Sequence, residues 1–297
     1  MFTLTTALVA LSLSSPAVMT GAETGAAVPA IRAAEPNFGT IVADRSPAMA
    51  NIKFVLSVEF GGQSQEIEGE AMALMIDSKG LMVMSGSEIG SRRGMTATPK
   101  GIKVLIGDDT EGVPAKLIGR DSELDLAWLR IEKPSDKGYS SIDLSKGATA
   151  KTGDTLVGLD RMGKYFDHAP VAMTTTVGGV TKKPRTLYIP SGGLVLGVGL
   201  PFFTVGGEFV GMSVVQMPNA DSEDDMGSRR GERQSYFDRG LKLLPAAEIV
   251  SATARAVDAE KAGKGVGMDE PKPEEKKDEP KADAPKDAPK KEDPKKD

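Results

Sequence analysis

The sequence predicts an all-β chain with many turns, long enough for one large domain or for two small ones, into which two β-barrels side by side would fit. Three observations carry this. Glycine is abundant at 34 residues while aromatics make up only 5%, which favours many turns over long packed helices. Short alternating apolar runs recur through the middle of the chain, separated by Gly, Asp, Ser and Pro clusters. And 297 residues at 39% hydrophobic content suffice for one large or two small cores. The net charge of −5 gives no footing for nucleic acid. Cysteine is absent, which removes disulfides, thiol nucleophiles, Cys-ligated metals and lipoprotein anchoring. A single histidine, His168, is the one source of imidazole base chemistry and rules out a multi-His metal site, so no metal or other cofactor is expected.

Residues 1–22 form an apolar stretch too short to span a bilayer, with the small residues Thr20 and Ala22 ahead of a cleavage point. They read as a signal peptide, so a secreted or periplasmic protein with no integral membrane domain is expected. No Lys or Arg stands near the start, which keeps an uncleaved anchor or a plain leader as alternatives. Residues 23–46 are rich in Ala, Gly and Pro without periodicity and read as linker. Structure is expected to begin near Pro47. Ile52 to Phe60 alternates as a strand, Gly61-Gly62 makes a two-residue hairpin turn, and Glu66 to Asp77 forms the returning arm, ended by Ser78-Lys79-Gly80. Lys103 to Ile106 and Ala115 to Ile118 flank a carboxylate-rich turn over 107–112 that lacks the ligand spacing of a calcium loop. Leu124 to Ile131 alternates with apolar residues on both sides, as in a strand packed on both faces. Asp125 falls inside that run. Burying its charge without partners is costly, so it either bonds backbone amides at a strand start or faces a cleft.

The segment from Gly119-Arg120-Asp121 through Leu124-Asp125-Leu126-Ala127 to Leu129-Arg130-Ile131 resembles the "GRD…TDLALLKI" run of trypsin-like serine proteases of the HtrA/Deg type. Gly69 to Ile89 is similar to that family's histidine segment, Lys151 to Leu159 and Val171 to Val180 to its second-barrel strands, and Gly240 to Val250 to its last strand and helix. The resemblance implies a trypsin-like double β-barrel over 47–135 and 136–262, without the PDZ domain many relatives carry. It also implies that Asp125 holds the place of the triad aspartate. In the place of the histidine stands Ser87, which has no base with a pKa near neutrality. Ser85 and Ser87 otherwise read as a small polar turn. Glu88 points away from them if the segment stays extended.

Two positions compete for the nucleophile. Ser191-Gly192-Gly193 has the right letters, but counting back nine positions from the Gly207-Glu208 turn, with Pro201 matching the family's proline, lands on Val198. Valine has no nucleophile, and Leu196 replaces the glycine that in the family helps hold the oxyanion. The triad-equivalent positions are therefore Ser87, Asp125 and Val198, with Ser191 as alternative nucleophile. His168, beside Asp167 and after Asp125 in the chain, reads as a surface-loop histidine. A polar loop over 218–239 carries Asp221, Glu223, Asp224 and Asp225 followed by Arg229, Arg230 and Arg233, a self-neutralising insertion. Residues 263–297 consist largely of Lys, Glu, Asp, Pro and Ala, a composition too polar and proline-broken to pack, and read as a disordered charged tail. Taken together, the resemblance and the lost residues imply an exported, catalytically inactive protease homologue that binds a peptide or protein partner. An active serine endopeptidase using Ser191 with His168 or Asp125, and a cell-envelope protein working through its tail, are the alternatives.

Overall fold

Strands of alternating sequence bury one face each, and the cheapest way to leave no edge unpaired is to close. In the computed structural model both sheets do so. It describes residues 38–60, 63–92, 95–107, 109–191, 197–216 and 241–264, with the backbone alone for 58–60, 63–64, 91–92 and 95–98. The first barrel comprises β1 (Met49–Phe60), β2 (Gln63–Met75), β3 (Leu81–Ser85), β5 (Met95–Leu105), β6 (Val113–Asp121) and β7 (Leu126–Ile131), with the short β4 (Ser91–Arg92) attached to β5. Its antiparallel order β1-β2-β3-β7-β6-β5 closes where β5 returns to β1. Phe60 pairs with Gln63, which leaves two residues for the predicted hairpin loop; Gly61 and Gly62 themselves lie outside the described residues. The second barrel comprises β8 (Thr155–Arg161), β9 (Pro170–Val180), β10 (Tyr188–Pro190), β11 (Pro201–Thr204), β12 (Phe209–Val214) and β13 (Lys242–Pro245), in the closed order β10-β13-β12-β11-β8-β9.

β7 is packed on both faces as its sequence predicts: Leu126, Ala127, Trp128 and Leu129 are fully buried, and only Arg130 reaches water. The position of Asp125 is corrected. It lies in the turn before the strand rather than in it, at φ +58°, a left-handed conformation that Asp tolerates because its short side chain bonds locally.

The stretch expected as linker is also corrected at its end. Residues Phe38–Arg45 form a helix, α1, whose Ile41 is buried and whose Phe38 and Val42 pack on the core; this i, i+3, i+4 apolar set is what gives the segment a reason to fold. A second helix, α2 (Ala246–Lys261), continues from β13. It buries Ala246, Ile249, Ala252 and Ala256, and small residues on that face let it approach the strands closely. Glu248 in its first turn and Lys261 in its last suit the helix dipole.

α2 crosses from the second barrel to the first. Thr253 accepts the Trp128 indole N–H at 2.9 Å, and Glu260 takes Arg130 through its Nε and Nη2 atoms. Buried side chains of both barrels join in one continuous core. Among the described residues no helix is long and apolar enough to cross a membrane. Residues 1–22, 218–239 and 265–297, on which the signal-peptide, insertion and tail expectations rest, lie outside the described residues.

Candidate functional site

Three segments meet where the barrels face each other. After β3 the chain curls into a 3-10 turn, Gly86–Ile89, ended by Gly90 at φ +93°, a conformation open to glycine and costly for most other residues. The β6–β7 turn brings Asp125 against it, with Gly86 N–H donating to the Asp125 carbonyl at 2.9 Å. From the second barrel, the end of β12 supplies Val215.

The Asp125 carboxylate is the hub. Its Oδ2 accepts the Ser85 hydroxyl at 2.7 Å and the Val215 N–H at 2.8 Å, and its Oδ1 accepts the Ser87 N–H at 2.7 Å. The Ser85 proton is committed to Asp125, so in the 2.8 Å contact between the two serine hydroxyls it is Ser87 that donates. Ser85 is fully buried, and Asp125 is 6% exposed. Burial pushes the Asp125 carboxyl up from the ordinary Asp range, against the Val215, Ser85 and Ser87 donors, each of which pulls it down. A chain of hydroxyls ending on a carboxylate holds its groups in place, but a carboxylate is too weak a base to strip a serine proton at neutral pH.

The turn 197–200 lies against this cluster. Ser213 on β12 pins it: its hydroxyl donates to the Gly197 carbonyl at 2.7 Å and accepts the Leu200 N–H at 2.9 Å, while Gly199 N–H donates to the Ser213 carbonyl at 2.8 Å. Gly199 has φ +77°, and a Cβ there would stand 3.4 Å from the Ser85 nitrogen. Val198 is half-buried, one residue from that contact. Leu196 lies outside the described residues.

Glu88 would point away from Ser87 in an extended segment, but the segment curls into the 3-10 turn, so the alternation of a strand does not apply here. The Glu88 carboxylate accepts the Met72 N–H and feels Asp125 and, across the seam, Asp160 of β8. Burial above all, then those two like charges, push it up to about 7. Asp160 is itself raised by burial.

No family model matches the sequence, and neither does any curated protein.

The structure therefore brings Ser85, Ser87 and Asp125 into direct contact and sets Val198 next to them. Ser191 and His168 are bonded elsewhere. Ser191 is exposed at the end of β10, its N–H donating to the Thr176 carbonyl at 2.7 Å and its carbonyl accepting the Thr175 hydroxyl at 2.9 Å. His168 sits in the β8–β9 turn at φ +51°, its carbonyl accepting Arg161 Nη1 at 3.1 Å. Among the described residues Ser191 makes no hydrogen bond to Asp125 or His168. Sequence reasoning missed Val215, Ser213 and Met72, two of which act through backbone groups that leave no mark in residue type. The signal for Glu88 was present: a carboxylate closing an apolar run beside two glycines.

Proposed function

We propose that this chain is an exported, catalytically inactive relative of trypsin-like, HtrA/Deg-type serine proteases, and that it works by binding a peptide or protein segment along the seam between its barrels. The observation that carries this reading is the Asp125 cluster. A buried carboxylate with donors from both barrels sits where the resemblance puts a triad aspartate, while Ser87 and Val198 stand where a base and a nucleophile would be needed. Two closed antiparallel barrels with a C-terminal helix are the fold the resemblance implies. Past Val214, the last residue of β12 paired with β13, the Val215 N–H is given to Asp125. A partner that joins by strand addition beside the second barrel would bind through backbone bonds, which need no triad.

Reaction of the purified protein with a fluorophosphonate serine-hydrolase probe, followed by intact mass beside Ser191→Ala, tests this. No adduct on either protein is the expected result. An adduct that disappears in Ser191→Ala would replace this reading with that of an active hydrolase. Peptide-library binding that is retained in Ser191→Ala and lost in Asp125→Ala would then locate the partner at the seam.

A further inference from the structure

β6 divides its pairing unevenly between its two neighbours. It runs beside β7 from Ala115 to Asp121, yet meets β5 only at Lys103↔Pro114 and Val104↔Val113. Beyond those two rows β5 and β6 part, and among the described residues no further strand lies between them. A groove of about 310 Å³ opens there, lined among others by Pro99, Gly101 and Ile102 of β5 and by Ala115, Lys116 and Leu117 of β6. A Cβ built on Gly101 would meet nothing within 4 Å. Consecutive residues of β6 point to opposite faces of the sheet, so a groove that all three line follows the edge of the strand. A strand edge flanked by apolar side chains takes an extended chain through backbone pairing. The volume suits a short segment, since a folded partner needs a far wider contact.

The chain itself supplies such a segment. α2 ends beside the groove, where Glu260 binds Nζ of Lys116 at 3.0 Å. Gly263, at φ +68°, caps the helix: its N–H donates to the Glu260 carbonyl at 3.0 Å, and the Lys264 N–H donates to the Ala259 carbonyl at 2.9 Å. These bonds fold the chain back over the turn that carries Glu260, and Lys264 is the last described residue. Gly265-Val266-Gly267-Met268-Asp269-Glu270-Pro271 comes next. Beyond Lys264, Val266 and Met268 are the only Val, Ile, Leu, Met or aromatic residues. Two apart, they would share one face of a strand, and Pro271 would end it. Residues 265–270 reach up to about 20 Å when extended, enough to run from the end of α2 along the groove.

We propose that residues 265–270 dock in the β5–β6 groove as an added strand, with Val266 and Met268 against Ile102, Ala115 and Leu117, and that the charged residues after them are thereby tethered to the first barrel. The docking is independent of the seam and of what the seam binds.

A chain without cysteine lets one engineered pair report on this. In the full chain, Lys116→Cys with Met268→Cys should form an intramolecular disulfide on mild oxidation at low protein concentration, and Lys116→Cys with Ala288→Cys should form far less. Hydrogen exchange gives a second readout. The β6 amides between Ala115 and Arg120 that point away from β7 should exchange about tenfold faster in a chain ended after Lys264, and in the full chain carrying Val266→Asp and Met268→Asp, than in the wild type. Both changes lie outside the barrels, so the fold is kept. Exchange that is equal in the three proteins, or equal disulfide yields from positions 268 and 288, would overturn the proposal. So would a crosslink that forms only between chains, which would give the groove to a second copy.

Discussion

Asp125 and Glu88 stand on two neighbouring turns of the first barrel, Asp125 buried and Glu88 half-buried, and they differ in their donors. Asp125 accepts from Ser85, Ser87 and Val215, whereas among the described residues Glu88 has one backbone donor, the Met72 amide. A buried carboxylate is stabilising only as far as its lone pairs are filled. Asp125 therefore acts as a strut between the barrels. Glu88 acts as a site where charge is barely tolerated.

Removing the strut should have the largest effect. Asp125→Ala strands two backbone N–H groups and the Ser85 hydroxyl, and should cost about 3 kcal/mol in urea unfolding. Asp125→Asn, which keeps one acceptor oxygen and tolerates positive φ, should cost about half as much. If both variants lose less than about 0.5 kcal/mol, the contrast with Glu88 collapses.

Next in size is Gly199→Ala. It places a Cβ at φ +77° and 3.4 Å from the Ser85 nitrogen, and should cost about 1 to 2 kcal/mol while leaving the barrels intact by circular dichroism.

Ser85→Ala sharpens the comparison, because it makes Asp125 more like Glu88. It should cost about 1 kcal/mol at neutral pH. It should also raise the Asp125 carboxyl further, since one of the donors that pull it down is gone. A carboxyl raised by folding contributes stability that is present below its ordinary range and is lost as pH climbs through the folded value. In Ser85→Ala that loss should therefore fall at higher pH than in the wild type, as read by chemical denaturation at a series of pH values. The smallest effect is expected at Ser191→Ala, within about 0.5 kcal/mol, because the bonds that tie Ser191 to β9 are formed by its backbone.

Most of the strand plan was legible from local pattern. The alternation from Ile52 to Phe60 with Gly61-Gly62 behind it predicted the first hairpin, and the doubly apolar run from Leu126 to Ile131 predicted a strand buried on both faces. Both signals are properties of consecutive side chains and survive without knowledge of neighbours. α1 was missed because its apolar set of Phe38, Ile41 and Val42 is short and preceded by a long featureless stretch, so only the core it packs on gives it stability. The site was legible in part. That Asp125 would need backbone amides or a cleft followed from the cost of burying it; that the two serines would join it, and which amide came from the second barrel, did not.

The sequence by itself determined the all-β character of the chain, the absence of thiol chemistry, the single imidazole and the serine at 87 and valine at 198, since these depend on residue type and spacing alone. Only the tertiary structure decided that Asp125 sits in a left-handed turn, that Val215 completes its shell, that Ser191 is tied to β9 away from it, and that Glu88 takes the Met72 N–H. Each of these is a relation between segments far apart in the chain, set by barrel closure and a single 3-10 turn. The free energy of a buried carboxylate depends on just such neighbours.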